Sequence, residues 1–424
     1  MAYSPRILDN ELDELLGSLP ALAIEGAKGV GKTETASRRA STIHPLDDPD
    51  RLTLAEADPK RLLETDPPIL IDEWQRLPET WDLVRRAVDA GAEPGRYLLT
   101  GSASPDGPGR HSGAGRIPTI RMRPLSLVER ARTSGSVSLT ELLKGERPQF
   151  GGETSMTLED YTEEIVTSGF PGIRGLTSER ALRLQLDGYV ARIVDRDFPE
   201  LGHDVRNPAG LRRWMTAYAA ASSTTTSLDK IRDAATGGEG ERLSKDAARP
   251  YRNILERLWI LDPVPAWQPT RRHLSRLSAA AKHQLVDPAL AARLLGATPS
   301  ALLDNQELGP PILRDGTLLG ALFESLVTLS VRVYAQDAEA TVGHLRTFSG
   351  QREVDLIVQR QDARVVAIEV KLTRTVRDDH VRHLHWLRDK IGDELLDAIV
   401  ITTGEAAYRR SDGIGVVPAA LLGP

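Results

Sequence analysis

Residues 26–33, GAKGVGKT, have the composition and spacing of a loop that binds phosphate. They satisfy the pattern G-x-x-x-x-G-K-[S/T] in full. Glycines allow main-chain amides to surround phosphate oxygens, the lysine (Lys32) reaches the β- and γ-phosphates of a nucleotide, and the hydroxyl of Thr33 is a ligand for Mg²⁺. The residues expected to contact ATP are Gly26, Ala27, Lys28, Gly29, Val30, Gly31, Lys32, Thr33 and Glu34.

The segments on either side place this loop where the motif has a mechanical role. The apolar residues 21–24 predict a strand before the loop, and the sequence TETASRRAST predicts a helix after it. The N-terminus of that helix would add the positive end of its dipole. A glycine-rich turn that matches the pattern by chance is the alternative, and the acidic strand end that lies downstream disfavours it.

Two carboxylates follow a second apolar run. Residues 69–71, Ile-Leu-Ile, predict a buried strand that ends at Asp72 and Glu73. Ligands of open α/β sheets bind at the carboxyl ends of the strands, so both acids are expected beside the loop. Asp72 is expected to hold Mg²⁺, directly or through water, and Glu73 to orient and polarise the attacking water. An acidic pair that caps the next helix is the alternative.

A third strand, RYLLTGSAS, ends in hydroxyl groups at Thr100, Ser102 and Ser104. Ser102 could sense the γ-phosphate, and an ordinary serine-rich turn is equally open. The glycine-rich and proline-rich residues 104–116 that follow predict a mobile loop over the nucleotide pocket.

Several strings together resemble a large prokaryotic family of AAA-type ATPases, whose members add a winged-helix region and a C-terminal domain known as DUF4143. The strings, in order, are GAKGVGKT, LIDEWQRLP, YLLTGSAS, GRIPTIRMRPLSLVER and SGFPG. Family members usually have arginine at the position of Lys28. The resemblance implies that an arginine after the third strand completes a neighbouring subunit's site, and Arg116 is the candidate, with an ordinary surface arginine as the alternative.

Acidic residues recur near the C-terminus on two further apolar runs, EVDLIV and VVAIEVKL, which predict adjacent strands joined by the turn QRQDAR. Asp355 lies on the first strand. Glu369 and Lys371 lie two apart on the second, so both point to one face of the sheet. Upstream, an apolar helix is interrupted by Glu324, which would be costly to bury without a partner. Converging carboxylates beside an ammonium group suit metal-assisted hydrolysis of a phosphodiester.

This arrangement resembles the PD-(D/E)xK nuclease superfamily. The resemblance implies a metal site, for Mg²⁺ or Mn²⁺, with Glu324, Asp355 and Glu369 as ligands and Lys371 as the catalytic lysine; Glu353 is a candidate accessory acid. A salt bridge between the strands, with Lys371 pairing with Asp355 or Glu369, is the alternative.

The middle of the chain predicts helices. Residues 180–198 predict a helix that buries Leu184, Tyr189 and Ile193. Three later helix candidates precede WILDPVPAW, which is the order of a winged helix. Pro250 is placed at the first position of the third helix. A winged helix serves either DNA or protein docking, and both readings stay open. The basic tract at 270–277 could contact a phosphate backbone or be an ordinary solvated segment.

A further helix is predicted over residues 373–390, with Leu384 and Leu387 facing inward. It could also track a phosphate backbone or be an ordinary solvated helix. Its outward basic residues are Arg374, Arg377, Arg382 and His383.

Length and composition limit the number of domains, the cellular compartment and the kinds of partner. The 424 residues are too many for one core, and breaks near 130–150 and 295–315 predict three domains, residues 1–135, 136–305 and 306–424. The chain has no cysteine, which removes thiol chemistry and fits a cytoplasmic protein. A formal net charge of −6 limits nucleic-acid binding to local patches. We expect no export signal and no apolar run long enough to span a bilayer.

The predicted fold is α/β, with a P-loop parallel-sheet ATPase domain, a helical winged-helix domain and a nuclease-like α/β domain. The predicted function is ATP hydrolysis coupled to work on DNA, with a metal-dependent nuclease-like module. A nucleotide-dependent switch or scaffold, whose nuclease-like fold only binds a partner, is the alternative. A third hypothesis is an oligomeric protein remodeller that uses Arg116.

Overall fold

The computed structural model describes residues 3–424 except 104–114, 131–132, 134, 204, 206, 237–242, 269–279, 307, 311, 313–315 and 348–349. The chain forms two compact units. The first consists of Met1–Pro124, Phe170–Gly172 and Asn253–Ile260, and the second of Leu125–Gly169, Ile173–Arg252 and Leu261–Pro424. Most of the predicted loop at 104–116 lies outside the described residues. The basic tract at 270–277 lies entirely outside them.

The first unit is built on a five-stranded sheet in the order β2-β3-β4-β1-β5, whose strands all run parallel. Its elements are α1 (Leu8–Leu16), β1 (Ala21–Glu25), α2 (Lys32–Ser37), β2 (Thr42–Pro45), α3 (Pro49–Ala57), β3 (Ile69–Asp72), α4 (Glu79–Asp89), β4 (Tyr97–Gly101) and β5 (Thr119–Arg121), with 3₁₀ turns at Pro59–Leu63 and Trp74–Arg76. The prediction of a parallel α/β sheet around the phosphate-binding loop is confirmed.

Strand register explains why the polar residues of this unit meet. The central strands β1, β3 and β4 are buried along their whole length, as their unbroken apolar sequences require. Glu25 aligns with Gly101, and Asp72 aligns with Thr100. The carboxyl ends of the three strands therefore lie at one edge of the sheet, which brings the loop after β1 and the acids after β3 together.

The middle of the chain is helical, as predicted. Its elements are β6 (Val137–Ser138), α5 (Leu139–Lys144), α6 (Leu158–Thr167), α7 (Pro171–Arg174), α8 (Glu179–Arg192), a π-helical turn (Ile193–Asp197), α9 (Phe198–Glu200), α10 (Pro208–Ala220), α11 (Leu228–Ala234), α12 (Lys245–Arg257), α13 (Pro288–Leu294) and α14 (Pro299–Leu303). After α12, antiparallel bridges pair Leu261 with Leu285 and Val264 with Lys282. Three helices followed by such a pair have the element order of a winged helix, and that assignment stays a prediction.

Two details of the helical predictions are wrong. Helix α12 begins at Lys245, so Pro250 lies inside the helix and not at its first position. Along α8 and the π-helical turn that follows it, Leu186 and Ile193 are buried, whereas Leu184 is 71% exposed. Leu184 lies about 200° around the helix from Leu186, so an apolar side chain at that position cannot share the buried face.

The C-terminal part of the second unit contains a six-stranded sheet in the order β11-β12-β10-β9-β8-β7. Its elements are α15 (Leu318–Asp337), β7 (Thr341–Arg346), β8 (Glu353–Gln359), β9 (Val365–Val370), α16 (Asp378–Ile391), β10 (Leu395–Thr402), β11 (Tyr408–Arg409) and β12 (Gly415–Pro418), with 3₁₀ turns at Gly392–Glu394 and Ala419–Leu421. The last strand, β13 (Leu422–Gly423), pairs with β6.

The strand pair predicted from EVDLIV and VVAIEVKL is confirmed. Strands β8 and β9 are antiparallel, with Leu356 opposite Ile368 and Gln359 opposite Val365. The main-chain amide of Arg360 donates to the carbonyl of Arg364 over 2.9 Å, which closes the predicted turn. Strand β10 extends the sheet on the other side of β9, in parallel.

Helix α15 corrects the expectation that no apolar run could span a bilayer. It has 20 residues and a mean hydropathy of 1.4, which is sufficient by length and composition. However, 72% of that apolar stretch is buried inside the protein. The hydroxyl of Ser330 accepts from the amide of Leu127 over 3.1 Å, and the Phe323 ring packs edge-on against Tyr161. These contacts are typical of the core helix of a folded unit.

Helix α16 covers the six-stranded sheet with the predicted face, because Leu384 and Leu387 are both fully buried. We expect Leu384→Ala to lower the free energy of unfolding by about 2–5 kcal/mol, through lost transfer energy and the cavity left behind. The matched control is Leu184→Ala, which removes the same atoms from an exposed helix position. It should change the free energy of unfolding by less than about 0.5 kcal/mol. Urea denaturation of the full chain measures both, and equal effects would show that α16 does not pack as described.

Candidate functional site

The phosphate-binding loop joins β1 to α2 with a backbone that needs glycine. Gly31 has φ of 103°, a left-handed conformation that residues with a side chain rarely adopt. A side chain at Gly26 would collide with the main-chain carbonyl oxygen of Met122. The glycines of the motif are therefore required by the path of the chain as well as by access of the backbone to phosphate.

The side chain of Lys32 folds back over the loop. Its ammonium group donates to the carbonyl of Gly26 over 2.8 Å and to that of Ala27 over 3.0 Å. The residue is only 4% exposed, and this burial lowers the pKa of Lys32 to about 8. A buried positive charge is costly unless an anionic group neutralises it. The enclosed Lys32 therefore fits a bound phosphate chain.

Thr33 and Asp72, the two residues predicted to hold Mg²⁺, are in direct contact. The hydroxyl of Thr33 donates to Asp72 Oδ1 over 2.8 Å, and the hydroxyl of Thr100 donates to the same oxygen. Burial raises the pKa of Asp72, while these hydrogen bonds act in the opposite direction. A hydroxyl and a carboxylate oxygen at the carboxyl edge of the sheet are the kinds of ligand that Mg²⁺ prefers.

Glu73 lies beside Asp72 and is held by two donors. Its backbone is left-handed, with φ of 55° and ψ of 44°. Its Oε2 accepts from the hydroxyl of Ser102 over 2.6 Å and from the side-chain amide of Gln75. The Gln75 amide also lies 3.1 Å from the Ser102 oxygen. Ser102, predicted as a phosphate sensor, therefore contacts the predicted catalytic carboxylate. Gln75 is a contributor to which sequence reasoning gave no role.

The structure also places three other predicted nucleotide-site residues. Arg116 Nε donates to Asp89 over 2.8 Å, and its side chain is 47% exposed. Glu34 pairs with Arg38 one turn further along the helix, over 3.2 Å. Lys28 is half-buried in the loop. Their predicted roles stay predictions.

The second candidate site is formed by four acids of the second unit, Glu324, Glu353, Asp355 and Glu369, which we call the acidic centre. Asp355 on β8 and Glu369 on β9 are both buried. Asp355 Oδ2 accepts from the amide of Val370 over 2.9 Å. The ammonium of Lys371 lies 2.6 Å from Glu369 Oε1 and 3.9 Å from Asp355 Oδ2. The predicted strand acids and the predicted lysine are therefore neighbours.

Lys282 is the feature of the acidic centre that sequence reasoning missed. Its ammonium lies 2.9 Å from Glu324 Oε1, 3.1 Å from Glu353 Oε1 and 3.1 Å from Asp355 Oδ1. Its side chain is completely buried. Nothing in the local sequence KHQLVD indicates that its lysine meets acids that come 42 or more positions later.

Electrostatics at the acidic centre follow from burial and from these contacts. Burial alone would lower the pKa of Lys282, but the neighbouring Glu324 and Asp355 carboxylates raise it well above its ordinary value. Burial raises the pKa of Glu324 to about 8 and, together with the Asp355 charge, that of Glu369 to about 8. Burial opposes ionisation of Asp355 as well, yet Lys282 and Lys371 hold its pKa below the ordinary value.

The geometry of the acidic centre does not fit the metal that the nuclease resemblance implies. Both oxygens of Asp355 are engaged, one by Lys282 and one by the amide of Val370. Glu369 Oε2 is buried and without a hydrogen-bond partner among the described residues, but one such oxygen does not make a coordination sphere. Within the part of the chain that the structure describes, no group of three or more His, Asp or Glu side chains is arranged to hold a metal ion.

The fold and the first site together define a P-loop nucleotide-binding protein. Residues 18–131 match the AAA domain family, residues 158–301 match a domain of unknown function, DUF8612, and residues 319–422 match a domain of unknown function, DUF4143. The chain therefore combines an AAA-type P-loop ATPase domain with a C-terminal DUF4143 domain.

Two relatives and one solved structure resemble the chain. The relatives, from Mycobacterium bovis and Mycobacterium tuberculosis, are each described as an uncharacterized protein; both are 26% identical over 96% of this chain and 82% of their own length. The solved structure is a Walker-type ATPase of Pyrococcus abyssi, 15% identical, with a TM-score of 0.38 over 68% of this chain and 94% of its own.

Proposed function

We propose that this protein is an ATP-hydrolysing switch, in which Mg²⁺ and ATP bind the first unit and the DUF4143 domain contacts a partner without cutting nucleic acid. The observation that carries the hydrolytic part is the 2.8 Å hydrogen bond between Thr33 and Asp72, because it sets two magnesium ligands beside a complete phosphate-binding loop. The observation that favours a non-cutting C-terminal domain is the Lys282 ammonium among the acids.

Each residue of the first site has a task in this proposal. Main-chain amides of the loop and Lys32 bind the phosphates, while Thr33 and Asp72 hold the magnesium ion. Bound Mg²⁺ would supply neutralisation of the charge that develops on the phosphate oxygens. Glu73 accepts a proton from the attacking water. Ser102 and Gln75 engage Glu73 Oε2, so its other oxygen is left to face that water.

Lys32→Ala and Glu73→Gln should separate binding from chemistry. Lys32→Ala removes the positive charge that contacts the phosphates and should weaken ATP binding at least about tenfold, or about 1.4 kcal/mol. Glu73→Gln keeps the loop and should retain wild-type affinity while lowering kcat by about 10²-fold or more, because the general base is lost. Titration with a fluorescent ATP analogue and a phosphate-release assay measure the two quantities.

The control for both variants is Lys60→Ala, an exposed lysine of the same unit. It should leave affinity and turnover at wild-type values. Hydrolysis by Glu73→Gln at the wild-type rate would show that Glu73 is not the base.

Gln75→Ala tests whether the amide positions the catalytic carboxylate. Loss of one of the two donors on Glu73 should lower kcat by about tenfold with ATP affinity unchanged, because the interaction acts on the chemical step. The control is Arg76→Ala, which changes the exposed neighbouring side chain. A wild-type kcat in Gln75→Ala would remove Gln75 from the mechanism.

A second candidate function is action on DNA through the C-terminal domain. Placement of Asp355, Glu369 and Lys371 on adjacent strands favours it, because this is the arrangement that the nuclease superfamily uses. Two of the arginines expected to track a phosphate backbone have acidic neighbours, however: Arg374 pairs with Glu405, and Arg377 pairs with Asp379. Such pairing reduces the attraction of this surface for polyanions.

The two candidates differ in their response to DNA. For the switch, we expect single- and double-stranded DNA to leave the ATPase rate within about twofold of its basal value, and Mg²⁺ or Mn²⁺ to give no cleavage. Cleavage that disappears in Asp355→Asn would establish the second candidate. Since a bound polyanion is released by salt, the rate assay is repeated at about 50 and 200 mM salt.

A further inference from the structure

One buried ammonium group contacts three carboxylates in the acidic centre. An ammonium group carries three N–H donors and no acceptor. Lys282 donates to Glu324 Oε1 over 2.9 Å and to Asp355 Oδ1 over 3.1 Å, and its nitrogen forms an ion pair with Glu353 Oε1 at 3.1 Å. The nitrogen therefore lies at the point on which the three side chains converge, which is where a shared cation would be bound.

A divalent ion could enter that point only by displacing the lysine. Mg²⁺ requires about six oxygens at about 2.0–2.1 Å in a regular octahedron. The convergent oxygens already contact Lys282, and Glu369 Oε1 contacts Lys371 at 2.6 Å. The Lys282 side chain is 0% exposed, so an ion that took its place would leave the ammonium group buried and without its carboxylate partners. An uncompensated buried charge of that kind is strongly unfavourable.

The backbone that carries Lys282 is fixed on both sides. The amide and the carbonyl of Lys282 each bond to Val264, both over 2.9 Å. The next residue, His283, donates its amide to Thr224 and accepts through its carbonyl from Ser223, both over 2.8 Å. These hydrogen bonds hold the lysine as part of the folded core, unlike a side chain on a loose loop that could swing away.

We propose that Lys282 is the resident cation of the acidic centre, so that this centre takes no divalent metal and does not cleave phosphodiesters. Lys282 lies within the range matched by DUF8612, residues 158–301, whereas the acids lie within the DUF4143 range, residues 319–422. The lysine thus closes the centre from outside the domain that forms it. This inference deepens the non-cutting role proposed for the C-terminal domain, on which it rests, and does not depend on the ATP hydrolysis proposed for the first unit.

Mn²⁺ binding to the wild-type chain is the direct test. The free Mn²⁺ signal in electron paramagnetic resonance is titrated with the full-length protein without nucleotide, for the wild type and for Asp355→Asn. We expect the two binding curves to coincide. A Mn²⁺ site tighter than about 1 mM that Asp355→Asn abolishes would overturn the proposal. No nucleotide is used, so an inactive phosphate-binding loop would leave this result unchanged.

Lys282→Met provides a second measurement. It keeps the length of the side chain and removes the charge, which leaves the acids facing one another. We expect the thermal unfolding midpoint to fall by at least about 4 °C and added Mn²⁺ to restore part of the loss, because the vacated point can then accept the ion.

The matched control is Lys245→Met, at a lysine whose side chain is 73% exposed and which should show neither effect. A Lys282→Met chain with the wild-type midpoint would contradict the proposal. If that variant does not fold, the Mn²⁺ titration of the wild type and Asp355→Asn still tests whether the acidic centre binds a metal.

Discussion

Compensation of buried charge is the constraint on which the C-terminal half of this protein depends. A strand that carries Asp355 and another that carries Glu369 can be buried side by side only if their charges are neutralised. Two lysines from different parts of the chain do this: Lys371, two positions from Glu369, and Lys282, from a segment before the sheet begins. The first pair is local, while the second ties α15, β8 and the preceding segment to a single ammonium group.

In the first unit, hydrogen bonds from hydroxyl groups orient the buried acids. Its buried strands β1, β3 and β4 end in register, so that a loop of main-chain amides, a carboxylate pair and a set of hydroxyls share one edge of the sheet. Thr100 and Thr33 both donate to Asp72, and Ser102 donates to Glu73. Hydroxyl donors thus keep both acids oriented where positive partners would otherwise be needed. That leaves Lys32 available to the phosphates.

Features set by neighbouring residues could be predicted from the sequence. The phosphate-binding loop, its flanking strand, the acids after β3 and the hairpin of β8 and β9 are each set within a few residues, where periodicity and turn chemistry act. Leu184 of α8 is exposed, contrary to the prediction, because an apolar residue on a helix is not necessarily part of its buried face. Helix α12 begins before Pro250, because proline favours the first turn of a helix without being confined to it.

The acidic centre shows why the remainder could not be predicted. The sequence indicates its four acids and Lys371, yet Lys282 comes from a segment paired with Val264. Pairing between segments that are distant in sequence leaves no periodic signature in either one. A motif can therefore identify the side chains of a site, while a single residue outside the motif decides whether the site holds an ion.

The segment that contains Pro265 and Trp267 also protects the six-stranded sheet. Strand β7 lies at one edge of that sheet, where unpaired amides and carbonyls would be a template for another chain. His344 on β7 donates its amide to Pro265 over 2.9 Å and accepts through its carbonyl from Trp267 over 2.6 Å. A fragment that starts at the DUF4143 boundary would lack this cover. It would present an open edge to its own copies, and self-association in a ladder of strands is the hazard that such a truncation brings.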